Sequence, residues 1–367
     1  MEKVRIAVIG CGTISEIYFQ VLQKFPWIEV VACSDLAPDK AEARAAQFKI
    51  PKVLTVAEVM TDLAVEIILN LTTPHAHAEI IRAATSHGKH VYTEKPLMLD
   101  VAEAEELLGR AKARGLRVGC APDTFLGGAL QTCRKLIDDG WIGRPVAATA
   151  FRMGWGPETW HPAPEFYYQS GGGPLLDMGP YYLTALVSLL GPVAQVAASA
   201  RISYPERIIT SQPRYGQKIS VEVPTHVAGL LDFQSGALAT MITSFDVRGS
   251  QLPHIEIYGT TGTLSVPDPN HFGGEIRLKK AGSDEWCAVP LLFGYTENYR
   301  GLGLADMAYA LRSGRQHRAS GDLAYHVLEI MDSLAEAAQS ERRIAMKSRC
   351  ERPAPFPPGM LENTLDD

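Results

Sequence analysis

The sequence predicts an α/β fold: an N-terminal Rossmann dinucleotide-binding domain, then a C-terminal α/β domain with a large, open, mostly antiparallel sheet. Three observations predict it. Short apolar runs alternate with helical patterns over roughly the first 120 residues, as a parallel sheet covered on both faces requires. A glycine-rich turn, Gly10-Cys11-Gly12-Thr13-Ile14-Ser15, joins the first such run to the first helical pattern. From Val193 to Pro290 the pattern changes to strands separated by turn signals. The expected division is 1–122 for the dinucleotide domain and 123–367 for substrate binding and oligomerisation, with the C-terminal segment free to pack back on the first domain.

The elements follow in order. Val4 to Ile9 is strand-like, and Ile14, Ile17, Tyr18, Val21, Leu22 and Phe25 then recur at helical spacing. Ile28 to Cys33 is the second strand. Pro38 to Phe48 is a helix, with Pro38 suited to its first turn. Thr55-Val56-Ala57-Glu58 has the form of a capping box. Glu66 to Leu71 is strand-like, His75 to Ser86 helical with Gly88 as a stop, and His90 to Thr93 a short strand. Asp100 caps a helix ending at Gly115, and Arg117 to Cys120 is a strand again. Past Ala121-Pro122, Leu130, Cys133, Leu136 and Ile137 mark a helix stopped by Gly140. Val146 to Phe151 is a strand. Val227, Gly229, Leu231 and Phe233 alternate with His226, Ala228, Leu230 and Asp232 before the turn at Gln234-Ser235-Gly236. Leu304 to Leu311 and Leu323 to Ala337 return to helical periodicity. The proline-rich tail after Ser348 has no clear period and reads as an extended strap or a frayed end.

Composition narrows the function. The chain has 367 residues, 46% hydrophobic and 21% charged, which is ordinary for globular proteins. The net charge of −6 comes from 35 basic and 41 acidic residues with no long basic run, so no nucleic-acid partner is expected. The N-terminus has no apolar core of signal-peptide length. The apolar stretch Leu183 to Ala200 is interrupted by Gly191-Pro192 and Gln195, which argues against a membrane span. Cys11, Cys33, Cys120, Cys133, Cys287 and Cys350 form no CxxC pair. They read as free thiols in a reducing cytoplasm, without a metal site.

The chemistry gathers at the strand ends. Gly10 allows the tight turn, and Gly12 lets the backbone of Thr13 and Ile14 approach a pyrophosphate at the helix N-terminus. Ser15 stands where a third glycine is usual. Asp35, at the end of the second strand, is placed to accept from the adenosine ribose and to repel a 2′-phosphate, so NAD is favoured over NADP. Thr72, Thr73, Pro74 and His77 follow the next strand and either line the dinucleotide or form a capped helix start. Thr93-Glu94-Lys95-Pro96 ends a further strand, where Lys95 can stabilise negative charge on a substrate oxygen.

These segments resemble the family named after glucose–fructose oxidoreductase, inositol dehydrogenase and the rhizopine-catabolism protein (Gfo/Idh/MocA). The resemblance rests on GCGTIS, LTTPHAHAEI, GKHVYTEKP and GGGPLLDMGPYYLTAL, and covers nearly the whole chain. It implies that Lys95 is catalytic and that Glu94 and Lys95 lie beside the nicotinamide. The family usually carries Asp and, four residues later, His as an acid/base pair. This chain has Asp177 and Tyr181, as some members do; on a helix the two share a face, with Pro180 removing one backbone hydrogen bond. The family also implies a dimer through the open sheet face, often within a tetramer.

The loop from Arg152 to Ser170 holds Trp155, Glu158, Trp160, His161, Phe166, Tyr167 and Tyr168. Rings beside polar groups suit a sugar, and a packed Ω-loop is the alternative. Asp123, Glu158, Trp160, His161 and Tyr168 are the substrate-binding candidates. The reading is an NAD-dependent oxidoreductase acting on a CH–OH group of a sugar, glycoside or cyclitol. Its rivals are an NAD-using glycosidase working by transient oxidation and a non-catalytic dinucleotide sensor.

Overall fold

The computed structural model describes residues 2–360 and 362–366. Its elements are β1 (Val4–Ile9), α1 (Ser15–Leu22), β2 (Ile28–Ser34), α2 (Pro38–Phe48), α3 (Val56–Thr61), β3 (Ile67–Asn70), α4 (His77–Ser86), β4 (His90–Thr93), α5 (Val101–Ala113) and β5 (Val118–Cys120). There follow α6 (Gly128–Asp138), β6 (Pro145–Met153), α7 (Gly173–Leu190), β7 (Val193–Arg201), β8 (Glu206–Ile208), β9 (Lys218–Ser220), β10 (His226–Phe233) and β11 (Leu238–Ser244). The last are β12 (Ile255–Gly259), β13 (Gly262–Val266), β14 (Ile276–Lys280), β15 (Cys287–Val289), α8 (Leu302–Ser313), α9 (Gly321–Ser340) and β16 (Ile344–Ala345).

The contacts divide the chain into two compact units. The first takes the residues up to Gly128, Phe293–Tyr325 and those from Pro353 on; the second takes Ala129–Leu292 and His326–Arg352. The chain therefore changes unit after Gly128, Leu292, Tyr325 and Arg352, and the C-terminal segment counts with the first unit.

In the first unit five parallel strands lie in the order β2-β1-β3-β4-β5. A parallel bridge between Cys33 and Val53 extends this sheet outside β2. The chain leaves β1 toward β2 and returns past β1 to β3, so the carboxyl ends of β1 and β3 mark the topological switch point. Both faces of the strands are covered; Ile67, Ile68 and Leu69 of β3 are fully buried, which explains their unbroken apolar run. Local chemistry sets the helix starts. Pro38 occupies the first turn of α2. Thr55 and Glu58 make the reciprocal capping box of α3. Asp100 accepts from the Glu103 amide at 2.7 Å to open α5. α4 begins two residues later than its periodicity predicts, because Pro74–Ala76 forms a separate 3-10 turn.

Charge pairing holds the returning segments on this unit. Asp306 of α8 is fully buried. Its Oδ2 accepts from the Arg318 amide at 2.7 Å, and its Oδ1 from the guanidinium groups of Arg315 and Arg318 at 2.7 and 2.6 Å. Arg318 also donates to the carbonyls of Ala354 and Pro355 at 3.1 and 3.2 Å and to Asp366 at 2.5 Å. Arg318 thus ties the tail from Pro353 to α8, and Arg315 pairs with both Asp306 and Asp366 beside it.

In the second unit nine strands form one sheet in the order β15-β14-β13-β12-β6-β11-β10-β7-β16. Only β6 and β11 pair in parallel, so the sheet is mixed and mostly antiparallel. Val227, Gly229, Leu231 and Phe233 of β10 alternate inward. A Cβ on Gly229 would meet Leu334 of α9 at 2.6 Å, so the glycine lets that helix lie close on the strand. The other face leaves Leu230 and Leu238 about half exposed, at 49% and 57%. α7 packs on β6, β10 and β11 and runs through Pro180 from Gly173 to Leu190, with Pro174 in its first turn.

Replacing Arg318 with Met should cost about 1.5–3 kcal/mol, because Asp306 and Asp366 each lose one charged partner while Arg315 stays paired with both. Denaturant unfolding followed by far-UV circular dichroism reads this directly. A midpoint equal to wild type would mean that the tail is held by other contacts.

Candidate active site

The dinucleotide end of the first unit is built on a close approach of two loops. Gly10 has φ +101°, and a Cβ there would stand 2.6 Å from both the carbon and the oxygen of the Leu71 carbonyl. No other residue permits the turns after β1 and β3 to touch in this way. At Gly12 a Cβ would meet nothing within 4 Å. The loop is open there, and the space a side chain would fill suits a pyrophosphate at the start of α1. Thr13 and Ile14 are exposed beside it. Ser15, at the usual third-glycine position, is fully buried and donates to the Gly12 carbonyl at 2.7 Å. The hydroxyl closes the turn that a glycine would leave unbraced.

Asp35 stands against this loop. Its Oδ2 accepts from the Cys11 amide at 2.7 Å and its Oδ1 from the Ala37 amide at 2.8 Å. A carboxylate offers about four lone-pair positions, so two remain for further donors. Arg44 donates instead to Glu16 and Gln47, at 2.9 and 2.6 Å.

After β3, Thr72 donates to Asn70 Oδ1 at 2.7 Å, and Asn70 Nδ2 donates to Thr93 Oγ1 at 3.1 Å. Thr73 is exposed and extended before the Pro74 turn, and its side chain makes no cap bond. His77 departs from its expected place as a dinucleotide contact. The ring is fully buried, with Nδ1 2.7 Å from the Pro96 carbonyl and Nε2 3.1 Å from the Thr72 carbonyl. Burial holds its pKa below the ordinary histidine value, against the pull of these carbonyls. The imidazole therefore braces the turn after β3 against the turn after β4.

That second turn carries Glu94 and Lys95. The Glu94 amide donates to the Asn70 carbonyl at 2.9 Å. Its Oε2 accepts from the Lys95 amide at 2.9 Å, and its Oε1 from the Tyr18 hydroxyl at 2.8 Å. Glu94 and Lys95 are half-buried at the carboxyl end of β4, one strand from the switch point. Asp123, expected at the substrate, is committed to backbone amides. It is 1% exposed, and its Oδ2 accepts from the amides of Gly301 and Gly303 at 2.8 and 2.9 Å. It caps the head of α8. Burial pushes its pKa up to about 6, while those two amides oppose the rise.

In the second unit, Asp177 and Tyr181 sit one turn apart on α7, the first half-buried and the second buried. The aromatic loop has two different ends. Glu158 and Tyr168 were candidates for substrate contact, yet both are interior, 2% and 0% exposed. The Tyr168 hydroxyl donates to Glu158 Oε2. Glu158 Oε1 accepts from Arg207 at 3.1 Å, and Arg207 also pairs with Asp246. Desolvation and the neighbouring carboxylate push the Tyr168 phenol well above its ordinary pKa, so it remains a donor. The Arg207 guanidinium lies 4.6 Å from the Trp155 ring, whose centroid is 3.9 Å from the guanidinium of Arg248. Tyr168 and Phe245 then pack with Ile209, Ile219 and Val221 into a small core of their own. At the other end Trp160 is 64% exposed and meets His161 and Tyr167 edge-on, at 5.4 and 6.3 Å. His161 in turn packs on Phe166.

Tyr18 and Arg207 escape a reading of the sequence. Tyr18 falls on the apolar face of α1, where a ring reads as packing. Arg207 lies in a polar segment where arginine is ordinary. Only the position of their carboxylate partners, far away in sequence, shows their work.

Known proteins share this architecture. The profile described as oxidoreductase family, NAD-binding Rossmann fold, matches residues 4–121, and that of the GFO/IDH/MocA C-terminal domain matches residues 130–265. A dTDP-3,4-didehydro-2,6-dideoxy-alpha-D-glucose 3-reductase from Saccharopolyspora spinosa is 31% identical over 85% of this chain and 93% of its own. A myo-inositol 2-dehydrogenase from Thermotoga maritima is 24% identical over 94% and 98%. Among solved structures, a levoglucosan dehydrogenase in complex with NADH and L-sorbose superposes with a TM-score of 0.81 at 22% identity, covering 95% of this chain and all of that one.

Arg207→Met should strand Glu158 and Asp246 as buried unpaired carboxylates and cost about 3–5 kcal/mol. The aromatic loop should loosen with it, which limited proteolysis between residues 152 and 170 reports. Unaltered cleavage there, with an unaltered unfolding midpoint, would show that the loop stands without its arginine.

Proposed function

The chain belongs to the Gfo/Idh/MocA family of oxidoreductases, whose N-terminal part is an NAD-binding Rossmann domain, and from that premise we propose that it oxidises or reduces a hydroxyl-bearing carbon of a sugar, glycoside or cyclitol. The observation that carries the reading is the Glu94-Lys95 turn, fixed at the carboxyl edge of a parallel sheet beside its switch point. The relatives named above act on a sugar nucleotide and a cyclitol, which gives the substrate class its support.

The first unit suits NAD. The loop is open at Gly12 where a pyrophosphate would lie, with the backbone of Gly10, Gly12, Thr13 and Ile14 around it. Thr72, Thr73 and Pro74 extend the same edge. Asp35 keeps lone pairs for ribose hydroxyls, and its charge disfavours a 2′-phosphate while Arg44 is committed to Glu16. NAD supplies the hydride acceptor or donor when bound.

The chain's own groups then divide the remaining work. Lys95 orients the substrate hydroxyl and stabilises negative charge on its oxygen. Tyr181 exchanges the hydroxyl proton, and Asp177 orients that exchange. Trp160 and His161 offer ring faces and a polar edge to a sugar. The half-exposed apolar residues of the nine-stranded sheet, Leu230 and Leu238, suit a second copy of the chain, as a homodimer or within a homotetramer. The buried free thiols Cys11, Cys33, Cys120 and Cys133 suit a reducing cytoplasm, and among the described residues no helix is long and apolar enough to cross a membrane.

A panel of sugars, glycosides and cyclitols incubated with NAD+ tests the reading through absorbance at the NADH band. NADH released in step with product supports it. Glycoside cleavage without net NADH would favour a glycosidase working by transient oxidation, and NAD+ binding with neither would favour a sensor. Asp35→Ser should weaken NAD+ binding by about 1.5–3 kcal/mol, the worth of a charged hydrogen bond, and narrow the gap to NADP+. A wild type that already prefers NADP+ would remove that role from Asp35. On the best substrate, Tyr181→Phe should lower kcat by ~10²–10⁴ with NAD+ affinity almost unchanged. Lys95→Met should cost at least as much. A Tyr181→Phe enzyme within a few-fold of wild type would leave Lys95 as the base and Tyr181 as packing.

A further inference from the structure

The Tyr18 ring is fully buried on the inner face of α1, among Phe19, Val21 and Leu22. For packing alone a phenylalanine would serve this face. A buried phenol needs a partner for its hydroxyl, and here that partner is one oxygen of Glu94, at 2.8 Å. The other Glu94 oxygen takes the backbone amide of Lys95 at 2.9 Å. The carboxylate is therefore a bridge, with the tyrosine on one side and the lysine's own backbone on the other. Without the hydroxyl, Glu94 keeps one of these two donors and can turn about its last torsion. The Lys95 amide then loses a fixed acceptor. Burial and the adjacent Glu94 charge hold the phenol proton in place, so the direction of donation is settled.

We propose that Tyr18 is a positioning residue for Lys95, acting through the carboxylate of Glu94 to fix the backbone from which the lysine side chain springs. The proposal rests on the role given to Lys95 above. It also places the restraint on α1, the helix that opens directly after the Gly10–Gly12 loop. The loop that would hold the dinucleotide and the turn that carries the lysine thus share one mechanical element.

Amide hydrogen exchange on the full chain, read by mass spectrometry, tests this without substrate. In Tyr18→Phe the peptide covering residues 92–98 should exchange about tenfold faster or more, the factor for one lost bond to a charged group. Peptides from β1 and α4 should keep their wild-type rates. On the best panel substrate kcat should fall about tenfold, with NAD+ affinity within about threefold. Glu94→Gln should loosen the same peptide, and adding Tyr18→Phe to it should cost little more, since both act through one bridge. That variant also keeps the test open if Tyr18→Phe folds poorly. Unchanged exchange over 92–98 would overturn the proposal, as would faster exchange spread evenly over the first unit, the signature of lost packing. Lys95→Met separates the two failures. If Lys95→Met turns over normally, the lysine's role and this inference fall together. If it is inactive while Tyr18→Phe behaves as wild type, this inference alone falls.

Discussion

No side-chain atom fits at residue 10. The Leu71 carbonyl stands where a Cβ would be, so the turns after β1 and β3 are in direct contact across the switch point of the sheet. The rest of the first unit's carboxyl edge is arranged around that contact. Asp35 reaches the same loop through the Cys11 amide, and Thr72, next after Leu71, bonds back to Asn70 at the end of β3. Asn70 then passes the arrangement to β4 through Thr93 and the Glu94 amide. His77 closes it from below by facing both the Thr72 and Pro96 carbonyls. A larger residue at position 10 would have to push these loops apart, and every later spacing along the edge would change.

Buried charge in this protein mostly does structural work. Asp306 with Arg315 and Arg318, and Arg207 with Glu158 and Asp246, each hold a returning segment to its unit. Such clusters fix where a loop lies, since a charge taken from water tolerates little displacement from its partner. The aromatic loop shows the result. Its interior end, at Glu158 and Tyr168, is anchored, and its outer end, at Trp160 and Phe166, is exposed on a fixed base. A loop of that design can present rings to a ligand at small entropic cost.

Much of this was legible in the residues. The strand-helix alternation, the capping box at Thr55, the start of α2 at Pro38 and the inward alternation of β10 all follow from local rules, and local rules survive tertiary packing when they agree with it. The glycine turn, Asp35 and the Glu94-Lys95 pair were legible because strand ends in a parallel sheet converge on one edge. Partnership was not legible. Asp123, Glu158 and Tyr168 are residue types that suit a polyol, but the partners of the two carboxylates lie far along the chain: Gly301 and Gly303 for Asp123, Arg207 for Glu158, which in turn takes the Tyr168 hydroxyl. His77 was ambiguous for the same reason, since a histidine after a strand looks alike whether it faces solvent or two carbonyls. The return of α8 to the first unit also escaped, because helical periodicity shows that a face is buried and not against what.

The proposed reaction passes a hydride between a substrate carbon and NAD. The most direct measurement uses a substrate from the panel carrying deuterium at the carbinol carbon, with the cofactor recovered after turnover and weighed by mass spectrometry. Hydride transfer predicts reduced cofactor one mass unit heavier than that from unlabelled substrate, in step with product formed. Deuterium found in water or kept in the product, with the cofactor unlabelled, would contradict it.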